Sequence, residues 1–265
     1  MVTGAAVPAG SPPPIHTLFD TPTAYQVAAA DSAAAPPPVR AVLFDFANTL
    51  FRMVDAAQWL RLVAADTGRA GALDDPAAAD AALAGLVRAY QLPEVVAAQQ
   101  GRDLSAERHR AAMIAWFGAV DFLRGHESAA HARMLDADSW IPYGDTEPVL
   151  RALRERGIRV GVVSDIAWDI RAHVEHRGLG GLVDAYALSF EVGREKPDPE
   201  LFRKACADLG ADPRATLMVG DNPARDGGAS AAGLRCFILP AEHRTGERGL
   251  RQVLDLVGPP GPHLS

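Results

Sequence analysis

"VRAVLFDFANTLFRM", residues 39–53, decides how the rest of the chain is read. Its first half is a short, continuous apolar run rather than an alternating one, the pattern of a strand buried on both faces of a parallel sheet. Asp45 then falls at the carboxyl end of that strand. The same grammar recurs in "EPVLRALRERGIRVGVVSD" (147–165), where an amphipathic helix carrying Val149, Leu150 and Leu153 stops at Gly157. A strand over Arg159 to Val163 follows and delivers Ser164 and Asp165. It recurs again in "PELFRKACADLGADPRATLMVGD" (199–221): a helix, Gly210, a loop with Pro213, and a strand over Thr216 to Val219 that ends at Asp221. Two weaker strands are predicted in "AYALSF" and "RCFIL". Alternating strands and helices predict an α/β fold, a doubly wound, Rossmann-like parallel sheet. Ligands bind such sheets outside the carboxyl ends of the strands. Asp45, Ser164 and Asp221 all stand there, where core packing does not call for them.

Residues 53–139 interrupt the pattern with alanine-rich helical segments, "DAAQWLRLVAADTG", "AAADAALAGLVRAYQL" and "SAERHRAAMIAWFGAV". They predict an all-helical cap inserted into a core made of 39–52 and 140–258. Within it Trp59, Trp116 and Phe117 read as core, and His109, His126 and His131 as surface residues without metal spacing. Residues 1–38, rich in Ala, Pro, Gly and Ser, read as a flexible tail.

The chain has 265 residues, 48% hydrophobic and 22% charged, enough for a full core. A net charge of -7 and the lack of a basic patch argue against nucleic acid and for a small-molecule substrate. No apolar run approaches the roughly 20 residues of a membrane helix. The two cysteines, Cys206 and Cys236, are too few for a disulfide framework; they read as buried apolar residues and favour a cytoplasmic location. Nothing in the pattern sets an oligomeric state.

Four short motifs stand in order: "DFANT" (45–49), "VVSD" with Ser164, "EKPDPELF" with Lys196, and "VGDNPARDGGAS" with Asp221 and Asp226. Together they resemble the haloacid dehalogenase (HAD) superfamily of hydrolases, in the subfamily whose helical cap lies between the first and second motifs. The resemblance runs from about Val39 to Leu239. It implies that Asp45 is a carboxylate nucleophile forming an aspartyl intermediate. Lys196 and a divalent cation would offset the repulsion between two approaching anions, and oxygen-only ligands select a hard ion such as Mg2+. The implied ligands are Asp45, the backbone carbonyl of Ala47, Asp221 and Asp226. Ser164 resembles the hydrogen-bond donor to the phosphate oxygens, helped by backbone N–H groups at the following helix start. Asn48, Thr49, Arg52 and Asp165 stand beside the motif residues as candidate substrate contacts. Each acid also has a structural alternative as a helix cap. Lys196 is one of only two lysines in the chain against 24 arginines, a rarity that favours a functional role.

Ala47 is the departure. Family phosphatases carry there a second aspartate that protonates the leaving group and then activates water, and such acid–base help contributes roughly 100- to 10,000-fold. The resemblance therefore implies a phosphatase whose leaving group departs without a proton or finds one elsewhere. Dehalogenation, in which halide leaves unprotonated, is the alternative, although family dehalogenases carry tyrosine at this position and do not need the acids of "GDNPARD". A catalytically weak binding or regulatory protein is the reading from another class; the retained Asp45, Lys196 and Asp221 speak against it.

Overall fold

A computed structural model describes residues 36–240 and 246–258; the predicted tail lies, but for its last three residues, outside them. The strands run in chain order β1 (Ala41–Phe44), β2 (Phe51–Met53), β3 (Trp140–Pro142), β4 (Arg159–Ser164), β5 (Ala185–Leu188), β6 (Thr216–Gly220) and β7 (Arg235–Ile238). Five of them form one sheet in the order β5-β4-β1-β6-β7. Every pairing in it is parallel, with Ala41 level with both Arg159 and Thr216. The strand that ends at Asp45 thus occupies the middle of the sheet. All five strands are those the apolar runs predict, and the doubly wound parallel core is observed.

The continuous apolar run of β1 has a simple cause. Successive side chains of a strand point to opposite faces. Val42 and Phe44 enter one layer with Val149, Leu150 and Leu153 of α6 (Thr146–Glu155), Val174 of α7 (Arg171–His176) and Val253 of α10 (Gln252–Val257). Ala41 and Leu43 enter the other, with Leu201, Phe202, Ala205, Cys206 and Leu209 of α9 (Pro199–Leu209). Each fully buried Leu or Phe in these layers contributes about 1.5–3 kcal/mol. The short α8 (Ser189–Val192) follows β5 directly.

Between β1 and β3 the chain builds the helical cap: α1 (Ala56–Asp66), α2 (Pro76–Tyr90), α3 (Pro93–Ala98), α4 (Ala106–Gly118) and α5 (Glu127–Leu135). Asp55, Asp75 and Ser105 cap α1, α2 and α4 by accepting first-turn backbone N–H bonds. The cap has its own core around Trp59, Leu60, Met113 and Phe117. The sequence pattern does not show β2 and β3. They pair antiparallel, Arg52 level with Ile141, as a two-stranded ribbon at the two crossings between core and cap.

The last described segment is tied back to the site. Asp145, wholly buried, accepts the backbone N–H groups of Arg248, Gly249 and Leu250 at 2.7–2.8 Å. The buried Arg248 guanidinium then donates from Nε to the Asn48 carbonyl at 2.6 Å, across 200 positions of sequence. Among the described residues no helix is long and apolar enough to cross a membrane.

Candidate active site

Asp45 follows the last residue of β1, and its N–H continues the ladder to the Val219 carbonyl of β6 at 2.9 Å. Its carboxylate accepts the Phe46 N–H at 2.8 Å and stays in the buried floor of the cleft. The chain then turns back through Asn48, which adopts the left-handed conformation at φ 60. Asparagine tolerates that region better than most residues. The turn is closed by an Asn48 N–H bond to Phe51 at 2.6 Å.

Lys196 Nζ lies 2.9 Å from Asp45 Oδ1 and 2.6 Å from Asp226 Oδ1, with 3% of its side chain exposed. A lysine this deep holds its charge because carboxylates face it, Asp226 the nearer. Its position is fixed from behind: the Lys196 N–H donates to Asp165 Oδ1 at 2.8 Å, while the Arg225 guanidinium grips the other oxygen of Asp165. Asp226 is wholly buried and accepts the Asn222 N–H through Oδ2 at 2.9 Å.

The packing around Asp226 requires Gly220. A Cβ there would lie 2.1 Å from Asp226 Oδ2. Gly220→Ala should therefore shift the carboxylate, cost about 1–3 kcal/mol, and weaken divalent-cation binding by about 10- to 100-fold. Calorimetric titration checks this; an unchanged affinity would show that Asp226 does not set the cation site.

Burial pushes the Asp45 carboxyl up to about 7; the Lys196 ammonium pulls it back, and the charges of Asp226 and Asp221 add to the rise. Burial works against the Lys196 charge, but Asp45 and Asp226 outweigh it and hold its pKa above the ordinary lysine range. Asp45 and Asp226 share the one ammonium, and Asp221 stands in the same cluster. Oxygen atoms of Asp45, Asp221 and Asp226 lie within 4.8 Å of one another. An all-oxygen set of this charge fits a hard divalent cation.

The cleft has a volume of about 270 Å³. Asp45, Ala47, Asn48, Ser164, Asp165, Lys196 and Asp221 line its core side. Asp226 stands behind Lys196. Two of the predicted contacts are not among the lining residues. Thr49 is wholly buried, and Arg52 sits half-buried on β2 with Nη1 on the Met53 carbonyl at 3.3 Å. The helix expected directly after Ser164 starts only at Arg171, so its N–H groups do not adjoin the serine.

The opposite wall comes from the cap. Tyr90 at the end of α2, Gln99 just past α3, and Arg102 and Asp103 in the loop before α4 all face the cleft. Arg102 Nη1 donates to Gln99 Oε1 at 2.6 Å and its Nε lies 3.4 Å from Asp103 Oδ2. The sequence signal for this wall is the polar stretch "QQGRDLS", which breaks the alanine-rich pattern at Gly101. Trp59 and Phe117 are cap core, as their helical spacing predicts. Trp116 is only half-buried: its indole donates to the Leu86 carbonyl at 3.0 Å and its ring packs on Tyr90.

Three expectations about single residues are corrected. His109 and His131 are buried rather than on the surface, their rings joined Nδ1 to Nε2 at 3.1 Å. Burial, with the charges of Arg102 and His131, brings His109 down to about 3, so the pair shares a hydrogen as neutral imidazoles. Cys236 is exposed rather than buried, because β7 is an edge strand.

The chain is similar to known proteins. The profile described as haloacid dehalogenase-like hydrolase matches residues 39–233. A phosphoserine phosphatase of Thermus thermophilus is 36% identical over 111 residues, 41% of this chain and 42% of that protein. A glyceraldehyde 3-phosphate phosphatase of Methanopyrus kandleri is 36% identical over 95 residues, 35% of this chain and 41% of that protein. The chain spans about half the length of the curated relatives it matches. The solved 2-haloacid dehalogenase of Pseudomonas syringae has the same fold, with a TM-score of 0.55 at 18% identity over 83% of this chain and 98% of that one. With its four motifs meeting at one cleft and most of its length matched to a single profile, the chain belongs to the haloacid dehalogenase-like hydrolases.

Proposed function

We propose that the protein is a Mg2+-dependent phosphatase of the cytoplasm, acting on a small phosphorylated metabolite through an aspartyl-phosphate on Asp45. The observation that carries this reading is the buried ammonium of Lys196 between Asp45 and Asp226, with the Asp221 carboxylate in the same cluster. A carbon–halogen hydrolase has no chemical need for such a set of acids, whereas transfer of a dianionic phosphoryl group does.

In the first step Asp45 attacks phosphorus while Lys196 holds the carboxylate in place and balances its charge. Ser164 and the Asn48 side of the turn face the transferred oxygens from the floor of the cleft. Asp165 acts from behind, fixing Lys196 through its backbone. Asp45, the Ala47 carbonyl, Asp221 and Asp226 would hold the cation, which supplies charge neutralisation at the phosphoryl oxygens. The methyl side chain of Ala47 leaves that carbonyl available and takes no part in proton transfer.

Hydrolysis of p-nitrophenyl phosphate and acetyl phosphate should fall at least about 100-fold when the cation is removed by chelation and return with Mg2+. An equal rate without metal would overturn the phosphatase reading. Chloride release from 2-chloropropionate would replace it with the dehalogenase one.

A further inference from the structure

The cleft holds one acid that this reaction has not used. Its lining carboxylates, among the described residues, are Asp45, Asp103, Asp165 and Asp221. Asp45 is the nucleophile, Asp221 belongs with the cation ligands, and Asp165 has both oxygens engaged by the Lys196 N–H and Arg225. Asp103 remains. Its side chain is 10% exposed, and its ion-pair contact is Arg102 Nε at 3.4 Å, long for a charge-assisted bond.

The backbone of Asp103 is fixed to the core. Ser189, wholly buried at the start of α8, donates its hydroxyl to the Asp103 carbonyl at 2.7 Å and accepts the Ile166 N–H at 2.8 Å. One hydroxyl therefore sets the cap acid in register with the loop that carries Ser164 and Asp165. This serves a proton donor, which has to keep its distance from the reacting atoms within a few tenths of an ångström.

We propose that Asp103 is the general acid and base of the reaction, acting from the cap in place of the acid that Ala47 lacks, and that the natural substrates are phosphate monoesters of alcohols. The inference rests on the phosphatase reading above. In the first half-reaction the Asp103 carboxyl gives its proton to the bridging oxygen as the P–O bond to the alcohol breaks and the bond from Asp45 to phosphorus forms. Asp103 is then a carboxylate. In the second half it takes a proton from water as the water oxygen bonds to phosphorus and Asp45 is released, giving hydrogen phosphate and restoring the acid. Burial favours the protonated starting form by pushing the Asp103 carboxyl up; Arg102 and Arg225 pull it down and Asp165 adds to the rise. Glu195, also raised by burial, faces the same loop.

The test compares leaving groups. Asp103→Asn keeps the shape of the side chain and the Ser189 contact. It should lower kcat/KM for an alkyl phosphate such as glycerol 2-phosphate by about 100- to 10,000-fold. For p-nitrophenyl phosphate, whose leaving group needs no proton, kcat/KM should fall less than about tenfold. There kcat should fall further, with a burst of nitrophenol as the aspartyl-phosphate accumulates. Restoring an acid by Ala47→Asp in the Asp103→Asn background should recover alkyl phosphate turnover at least about tenfold. Equal losses on both substrates, or no loss on the alkyl ester, would overturn the inference while leaving the phosphatase reading intact. A wild-type protein inert on both esters would overturn both.

Discussion

Asp45→Asn should abolish turnover and, in the cation-free protein, raise stability. Loss of a nucleophile that forms the covalent intermediate removes on the order of 10^4- to 10^6-fold in kcat. The stability gain follows from the same burial that makes the site. With its carboxyl pushed up to about 7 from the 3.8 of an ordinary aspartate, the native protein binds more protons at Asp45 than the unfolded chain does between those two values. Stability therefore declines as pH rises through that window and is flat above it. The asparagine variant lacks this decline and should be the more stable protein at pH 8, by an amount that shrinks toward pH 4. Saturating Mg2+ should close the gap by binding the wild-type native state. Urea denaturation at both pH values checks it. A wild type whose stability does not fall relative to Asp45→Asn over this range would show that Lys196 fully compensates the buried charge.

Lys196→Met should cost both stability and rate. Removing the ammonium leaves Asp45 and Asp226 facing each other without their shared counter-ion, and breaking a buried pair in this way costs about 3–5 kcal/mol. Rate should fall by at least about 100-fold, the scale set by loss of one buried electrostatic donor at a reacting centre. The two effects separate in a cycle: adding Asp226→Asn to Lys196→Met should return part of the stability, since one of the two stranded charges is gone, without returning activity. If the single variant unfolds at the same urea concentration as wild type, Lys196 is not the element that keeps these acids together. Arginine is a poor replacement, because a planar guanidinium does not fit the pocket of a side chain only 3% exposed.

The parts of the fold legible in the sequence are those fixed by local patterns. A strand buried on both faces must be continuously apolar, and a polar residue at its end then stands out; Asp45, Ser164 and Asp221 are found on that ground alone. The strand order in the sheet has no local signature. Nor does the ribbon of β2 and β3, whose three-residue strands come together only once the intervening cap has folded. The cap wall was hidden for a different reason. Tyr90, Gln99, Arg102 and Asp103 lie at helix ends and in one loop, so no periodicity links them, and only the folded cap brings them to the cleft. His109 and His131 mislead a sequence reading because each can satisfy the other's ring nitrogen, which removes most of the cost of burying them.

The bond from Arg248 to the Asn48 carbonyl also sets an order of assembly. The turn that follows Asp45 is secured by a guanidinium 200 positions further along the chain. A nascent chain that has completed β7 already holds Asp45, Asp221, Asp226 and Lys196 in sequence, but not the Arg248 that braces the turn after Asp45. The turn after Asp45 is therefore braced only once Arg248 has been made, after every strand of the sheet is complete.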